Sequence, residues 1–110
     1  MQIAVEEKGT ALIIRLSGHM GHASVDELNH VFDEWLGKNI QNFIIDMSRL
    51  QYISSAGLRC FFEASTKVSN LKGKLFLCGM QPEVRQVFDV SGFTSFFSIC
   101  NTMQNALKQI

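Results

Sequence analysis

The sequence has one proline, no net charge and no long hydrophobic run, and each absence excludes a class of protein. Ten Lys and Arg balance ten Asp and Glu in 110 residues. No basic field is therefore available to hold nucleic acid or an anionic membrane surface. A single proline and 46% hydrophobic residues argue against a disordered chain. No apolar run approaches the roughly 20 residues of a transmembrane helix, so we expect no membrane insertion.

The cysteines are few and lie far apart, at Cys60, Cys78 and Cys100. Without a C-x-x-C pair, the zinc and thioredoxin-type patterns are absent. Cys60 falls in a helical pattern and Cys78 in a strand pattern, where a thiol packs as a small apolar group. This usage is typical of a reducing cytoplasm, and the first ten residues do not resemble a signal peptide. We therefore expect one cytoplasmic domain over residues 1–110.

Hydrophobic periodicity predicts an α/β fold with about four helices and a mixed central sheet of four to five strands. The predicted strands are Ile3–Val5, Ala11–Ser17, Asn42–Met47, Lys74–Cys78 and Ser95–Cys100. The predicted helices run from a capping box at Ser24–Glu27 to Gly37, from just after Ser55 to Val68, from Pro82 to Gly92 and from Thr102 to Ile110. Gly18–Ala23 is expected to be a loop. The second helix is predicted to bury Leu58, Phe61, Phe62, Ser65 and Val68.

The segment Phe43–Arg59 carries most of the information about function. It reads as a buried strand, a polar connection with adjacent serines at 54 and 55, and an amphipathic helix. The local pattern favours Ser55 as a helix cap, since serine is among the best capping residues. The alternative is a regulatory phosphosite at Ser55. A phosphate adds about −1.5 to −2 charge, and backbone N–H groups at a helix start would hold it.

Other chemistry has weak support in the sequence. The residues around Ser55 do not form G-x-S-x-G, so no nucleophile elbow is present, and no nucleotide-binding loop occurs. His19 and His22 have only Asp26 and His30 as nearby candidate metal ligands, which leaves a metal site incomplete. We therefore expect exposed loop histidines, no metal, no cofactor and no enzyme. A weak alternative is an enzyme built on the histidine loop.

Two further features have both a structural and a functional interpretation. Asp46 and Ser48 are expected to hydrogen-bond the turn after the third strand, although functional groups also gather at the carboxyl ends of such strands. Three phenylalanines, Phe93, Phe96 and Phe97, are expected to belong mainly to the core. The alternative is an exposed apolar patch for a partner.

The order of elements and the segment Asp46–Leu58, DMSRLQYISSAGL, resemble the STAS domain family, named for sulphate transporters and anti-sigma-factor antagonists. The resemblance spans essentially the whole chain, and Gly79–Gly92 is similar to a later family segment. It implies that Ser55 is the phosphoacceptor, with Ser54 as second choice. The chain departs from many phosphorylated members at Ser54 and Ala56, where they have Asp and Ser or Thr. It also lacks the aspartate of a Gly-x-Leu-Asp loop, since it has GHMG at 18–21.

The resemblance implies a bacterial, non-enzymatic anti-sigma factor antagonist. Its unphosphorylated form would bind an anti-sigma factor that is also a serine kinase, phosphorylation of Ser55 would end binding, and a PP2C-type phosphatase would restore it. The expected surface is a loop at Ser48–Ser54 and the first helical turn, with Leu58 as apolar anchor and Arg59 at the rim. The expected partner-binding residues are Ser54, Ser55, Ala56, Gly57, Leu58 and Arg59. The alternative is a STAS scaffold subunit of a lipid-transport ATPase or signalling complex, with Ser55 only a cap.

Overall fold

The computed structural model describes residues 1–110 as five strands, four α-helices and one 3-10 turn. The strands are β1 (Gln2–Lys8), β2 (Ala11–Met20), β3 (Asn42–Ile53), β4 (Lys74–Cys78) and β5 (Ser98–Cys100). The helices are α1 (His22–Leu36), α2 (Ser55–Asn70), α3 (Pro82–Ser91) and α4 (Met103–Leu107), and the 3-10 turn is Thr94–Phe96. The predicted α/β class and the number of elements are confirmed.

The sheet is mixed, as the sequence predicted. Its strands follow chain order, β1 to β5. β1 and β2 form an antiparallel hairpin, and the other three pairs are parallel. The hairpin turn contains Gly9 at a φ of 63°, a left-handed conformation that glycine adopts without steric cost. The strand predicted to be central, β3, lies between β2 and β4 and is buried on both faces through Ile44 and Ile45.

Helices cover both faces of the sheet. In β2, Leu12 and Ile14 belong to a core of 20 buried residues that includes side chains of α1, α2 and α3. The alternate residue Ile13 points to the opposite face, where a smaller cluster also includes Phe76 and Ala106 of α4. Three helices thus pack on one face of the sheet, and the short helix α4 packs on the other.

The predicted capping box at the start of α1 is wrong. The residue that caps α1 is Gly21, whose position supports no side-chain hydrogen bond. Ser24 is buried, and its hydroxyl donates to the His19 carbonyl oxygen at 3.4 Å. The predicted loop at Gly18–Ala23 is also wrong. β2 continues to Met20 through Gly18, whose φ of 98° allows the strand to change register, and one residue then leads into the helix.

Other boundaries also differ from the predictions. The first strand is longer than expected, Gln2–Lys8 instead of Ile3–Val5. The last strand is shorter than expected, because Thr94–Phe96 forms a 3-10 turn closed by a hydrogen bond from the Phe96 N–H to the Phe93 carbonyl. The last helix ends at Leu107 instead of Ile110. On α2, Phe62 is 39% exposed, whereas Ala64 is buried, so the predicted inward position of Phe62 is wrong.

Candidate functional site

The strands β2 and β3 continue side by side beyond the rest of the sheet. In this extension Gly18 is paired with Leu50, and Met20 with Ile53. The predicted loop at Ser48–Ser54 is therefore wrong, because only Ser54 separates β3 from α2. A hydrogen bond of 3.0 Å from the Ser54 N–H to the Met20 carbonyl completes the pairing. The serine pair is consequently attached directly to a strand end.

The residue that caps α2 is Ser54. Its backbone is extended, and its Oγ accepts a hydrogen bond of 3.1 Å from the Gly57 N–H. This satisfies one of the N–H groups that every helix start leaves without a partner inside the helix. The interpretation of Ser55 as the cap is therefore wrong by one residue.

Ser55 is the first residue of α2, and its side chain is exposed. Its hydroxyl takes part in none of the side-chain hydrogen bonds of the structure. Ala56, which follows it, is half-buried and carries no charge. Two neighbouring serines thus have different environments: one hydroxyl is engaged with the helix backbone, and the other is open to solvent.

Gly57 holds the start of α2 close to the two strand ends. A Cβ atom added there would lie 2.8 Å from Ile53 Cγ1 and 3.1 Å from the Met20 sulfur. The first distance is shorter than real Cβ atoms show and the second is tighter than most of their contacts, so a larger residue fits only if these side chains move. Ser55 is therefore positioned by packing between the helix and the β2–β3 extension, and Gly57 contributes to the site through the backbone.

The predicted apolar anchor for a partner is not accessible. Leu58 is 3% exposed and belongs to the main core. It lies at the base of a shallow groove between α2 and α3. This groove is lined by Ser55, Leu58, Gln86, Val87, Val90 and Ser91. Val90, which also lines this groove, is 81% exposed. Arg59 is exposed, as expected for a rim residue.

Asp46 and Ser48 are joined by a hydrogen bond within β3. Asp46 Oδ1 accepts from the Ser48 N–H at 3.0 Å, and Asp46 Oδ2 lies 3.8 Å from Arg15 Nε. The Ser48 carbonyl accepts from Gln81 Nε2 at 2.8 Å, which ties the residue preceding α3 to β3. Ser48 therefore anchors the start of α3 to β3, and both residues act from positions inside a strand and not in a turn.

The histidines do not form a metal site. His19 lies in β2, where its ring is 6.2 Å from the ring of Tyr52, and His22 begins α1. Both side chains are exposed, as expected, but they lie in a strand and a helix instead of a loop. No group of three or more His, Cys, Asp or Glu side chains in the structure is arranged to hold a metal ion.

The cysteines are buried and unpaired. Burial, with a smaller contribution from Glu63, raises the pKa of Cys60 to about 11. Burial, followed by the charge of Asp46, raises the pKa of Cys78 to about 12. A thiol with a raised pKa is a poor nucleophile at neutral pH. The structure thus agrees with the interpretation of these cysteines as packing residues.

The phenylalanines near the C-terminus divide between core and surface. Phe97 packs against buried Phe88, with ring centroids 5.6 Å apart. Phe96 is 61% exposed and contacts Phe62 and Phe93, with centroid distances of 5.7 and 6.0 Å. The expectation of core packing holds for Phe97 and is wrong for Phe96. Phe62 was not recognised as a surface residue, because helical periodicity alone places it beside the buried stripe.

Comparison with known proteins identifies the family. The family model for the STAS domain matches residues 2–106. This chain belongs to the STAS domain family. The STAS chain is 33% identical over 106 residues to BtrV of Bordetella bronchiseptica, which is provisionally named an anti-sigma factor antagonist. The match covers 96% of this chain and 91% of that protein.

Solved structures share the STAS fold of this chain. The anti-sigma factor antagonist SpoIIAA in its unphosphorylated form has a TM-score of 0.84 at 21% identity, covering 98% of this chain and 95% of SpoIIAA. The Bacillus SpoIIAA in its phosphorylated form has a TM-score of 0.77 at 20% identity, covering 98% of each chain. None of the helices in this STAS protein has the length and apolar character required to cross a membrane.

Proposed function

We propose that this STAS protein is an anti-sigma factor antagonist that is switched off by phosphorylation of Ser55. Residues 1–110 would act as one cytoplasmic, non-enzymatic domain. Support comes from BtrV, a relative provisionally named for this role. The fold of this chain is also shared by SpoIIAA, an anti-sigma factor antagonist whose structure is known in unphosphorylated and phosphorylated forms.

The observation that carries the proposal is the different environment of the two serines. The Ser54 hydroxyl already accepts a hydrogen bond from Gly57, and a phosphate there would displace the helix cap. The Ser55 hydroxyl is exposed and free, so a kinase can modify it without breaking a contact of the fold. Ser55 is therefore the proposed phosphoacceptor, and Ser54 remains the second choice.

The proposed partner surface combines the start of α2 with the groove beside α3. Ser54, Ser55 and Ala56 form an uncharged patch, Arg59 lies at its edge, and Val90 offers exposed apolar area. The proposed partner is an anti-sigma factor with serine kinase activity. A phosphate would bring about −1.5 to −2 charge into this neutral patch, which disfavours docking through desolvation. A PP2C-type phosphatase would reverse the change.

Phosphorylation with purified components tests the acceptor. The protein is incubated with ATP and the anti-sigma factor kinase of the source organism, and intact mass is measured. We expect one added phosphate in the unmodified sequence and in Ser54→Ala, and none in Ser55→Ala. Phosphate on Ser55→Ala together with none on Ser54→Ala would move the site to Ser54. Circular dichroism of both variants serves as the control for folding.

Binding tests the switch itself. The affinity for the anti-sigma factor is measured for the parent protein, Ser55→Ala and Ser55→Asp. We expect Ser55→Ala to bind like the parent and Ser55→Asp to bind at least tenfold more weakly. Equal affinity of all three proteins would contradict a charge-based switch. Isolation with a transporter ATPase, with no phosphate found in cells, would favour the scaffold alternative.

A further inference from the structure

We propose that Arg59 is the intramolecular counter-ion of the phosphate on Ser55. Under the proposed function, on which this inference rests, phosphorylation would then change two charges at once. It would add an anion at Ser55, and it would draw the Arg59 guanidinium away from the surface that a partner meets. The proposal assigns Arg59 a role in regulation that the spacing, exposure and surrounding charges support.

The spacing places the two side chains on one face of the helix. Ser55 and Arg59 are four residues apart within the 16 residues of α2, and both are exposed. Side chains at this spacing lie about 5–6 Å apart at their Cβ atoms. An anion at the N-terminal position and a cation four residues later is the favourable order for the helix dipole.

Arg59 has no competing partner in the structure. The four ion pairs join Arg15 to Glu6 and to Asp46, Lys67 to Asp33, and Arg85 to Asp89. None of them includes Arg59. Glu63, one turn further along α2, is not within ion-pair distance of it. On the neighbouring helix α3, the cation of Arg85 is already matched by Asp89 at 3.3 Å. A phosphate on Ser55 would therefore meet an available guanidinium without displacing an existing contact.

The Arg59 guanidinium supplies hydrogen-bond donors and a full positive charge that the start of α2 lacks. Ser54 already engages the Gly57 N–H, so fewer backbone donors face a phosphate on Ser55. Arginine carries a full charge and two parallel N–H donors, which match two phosphate oxygens. The expected signature is a lowered pKa for the second ionisation of the phosphate, because the dianion pairs more strongly with the cation than the monoanion does.

The test requires neither kinase nor partner. Phosphoserine is installed at position 55 during translation, and the phosphate is titrated by 31P NMR. Relative to the phosphorylated parent, Arg59→Gln should raise the pKa of the phosphate by about 0.4, the effect of a charge pair worth about 0.5 kcal/mol. Arg59→Lys should retain part of the effect. Equal pKa values in the parent and in Arg59→Gln would overturn the proposal.

Lys67→Gln is the matched control on the same helix. Lys67 lies 12 residues from Ser55, about 18 Å along the axis, beyond the screening length of roughly 10 Å at 0.1 M salt. The pKa of the phosphate should be the same in Lys67→Gln as in the parent. An equal rise in both variants would show a general field effect and would also overturn the pairing. Failure of the kinase to modify Ser55 would sink the proposed function while leaving this titration result intact.

Discussion

The Oγ atom of Ser54 accepts a hydrogen bond from the backbone N–H of Gly57, with 3.1 Å between the two heavy atoms. This contact separates the roles of two adjacent serines that look equivalent in the sequence. Ser54 holds the first turn of α2, and Ser55 leaves its hydroxyl in solvent. A capping hydroxyl and a solvent-exposed hydroxyl therefore lie side by side at one helix start.

Removing the two hydroxyls should have unequal effects on stability. Ser54→Ala loses the helix cap, and its free energy of unfolding should fall by about 1 kcal/mol. Ser55→Ala removes no hydrogen bond and should change it by less than about 0.5 kcal/mol. Urea denaturation followed by circular dichroism measures both values. Equal losses would contradict the assignment of Ser54 as the cap.

Adding one methyl group at Gly57 should weaken the fold at the site. Its Cβ would come within 2.8 Å of Ile53, so Gly57→Ala should lower the free energy of unfolding by about 1–3 kcal/mol through overpacking. Gly37→Ala is the matched control, because a Cβ at Gly37 meets nothing within 4 Å and its φ is −85°. The melting temperatures of both variants are measured by thermal unfolding. If Gly57→Ala melted at the same temperature as Gly37→Ala, α2 would be able to move away from the strands without loss of stability.

Two residues that line the groove between α2 and α3, Leu58 and Val90, should contribute unequally to stability. Leu58→Ala leaves a cavity in the core and should lower the free energy of unfolding by about 2–5 kcal/mol. Val90→Ala alters an exposed side chain and should stay within about 0.5 kcal/mol of the parent.

Under the proposed function, the affinity for the anti-sigma factor should depend on Val90 and not on Leu58. The affinity of Val90→Ala should fall, while folded Leu58→Ala should bind nearly as well as the parent. Isothermal titration calorimetry below the unfolding temperature of each variant gives the comparison. Unchanged affinity of Val90→Ala would remove the groove from the partner surface.

The buried thiols should make stability decline at alkaline pH. Their pKa values in the folded protein are about 11 for Cys60 and about 12 for Cys78, above the ordinary value of 9.0. Above about pH 9 the unfolded chain releases these protons while the folded protein keeps them, so the free energy of unfolding falls as pH rises. Below pH 9 both states hold the protons and the stabilisation is fully present.

A double variant isolates this thiol contribution. Cys60→Ala combined with Cys78→Ala removes both groups and leaves Cys100, Tyr52 and every lysine in place. Its unfolding free energy should decline less steeply between about pH 9 and about pH 11 than that of the parent. Parallel declines in urea titrations across this range would show that other groups control the alkaline limit.

Local rules predicted some helix boundaries well. α3 begins at Pro82 and is capped after Ser91 by Gly92, which has the left-handed φ of 79° typical of a helix end. Thr102 caps α4 through a hydrogen bond from the Asn105 N–H. These signals depend on residues within one turn of each other, so a sequence displays them without knowledge of the tertiary structure.

The β2–β3 extension could not be predicted from such rules. Beyond Asp46, the buried residues of β3 are Met47, Leu50 and Ile53, at intervals of three instead of two. Register shifts between β2 and β3 cause this spacing, which makes a paired strand look like a polar loop. The prediction of Ser55 as the cap was wrong because the end of β3 was placed too early. The true end of the strand at Ile53 makes Ser54 the capping residue.

The one-residue connection between β3 and α2 has a consequence for substrate recognition. A strand on one side and a packed helix on the other leave the backbone at Ser55 no freedom to extend into a kinase cleft, as a disordered substrate segment would. An enzyme that modifies this serine must recognise a folded surface assembled from β2, β3, α2 and α3. A free peptide with the sequence of residues 43–59 would lack that surface and should be phosphorylated far more slowly than the intact protein.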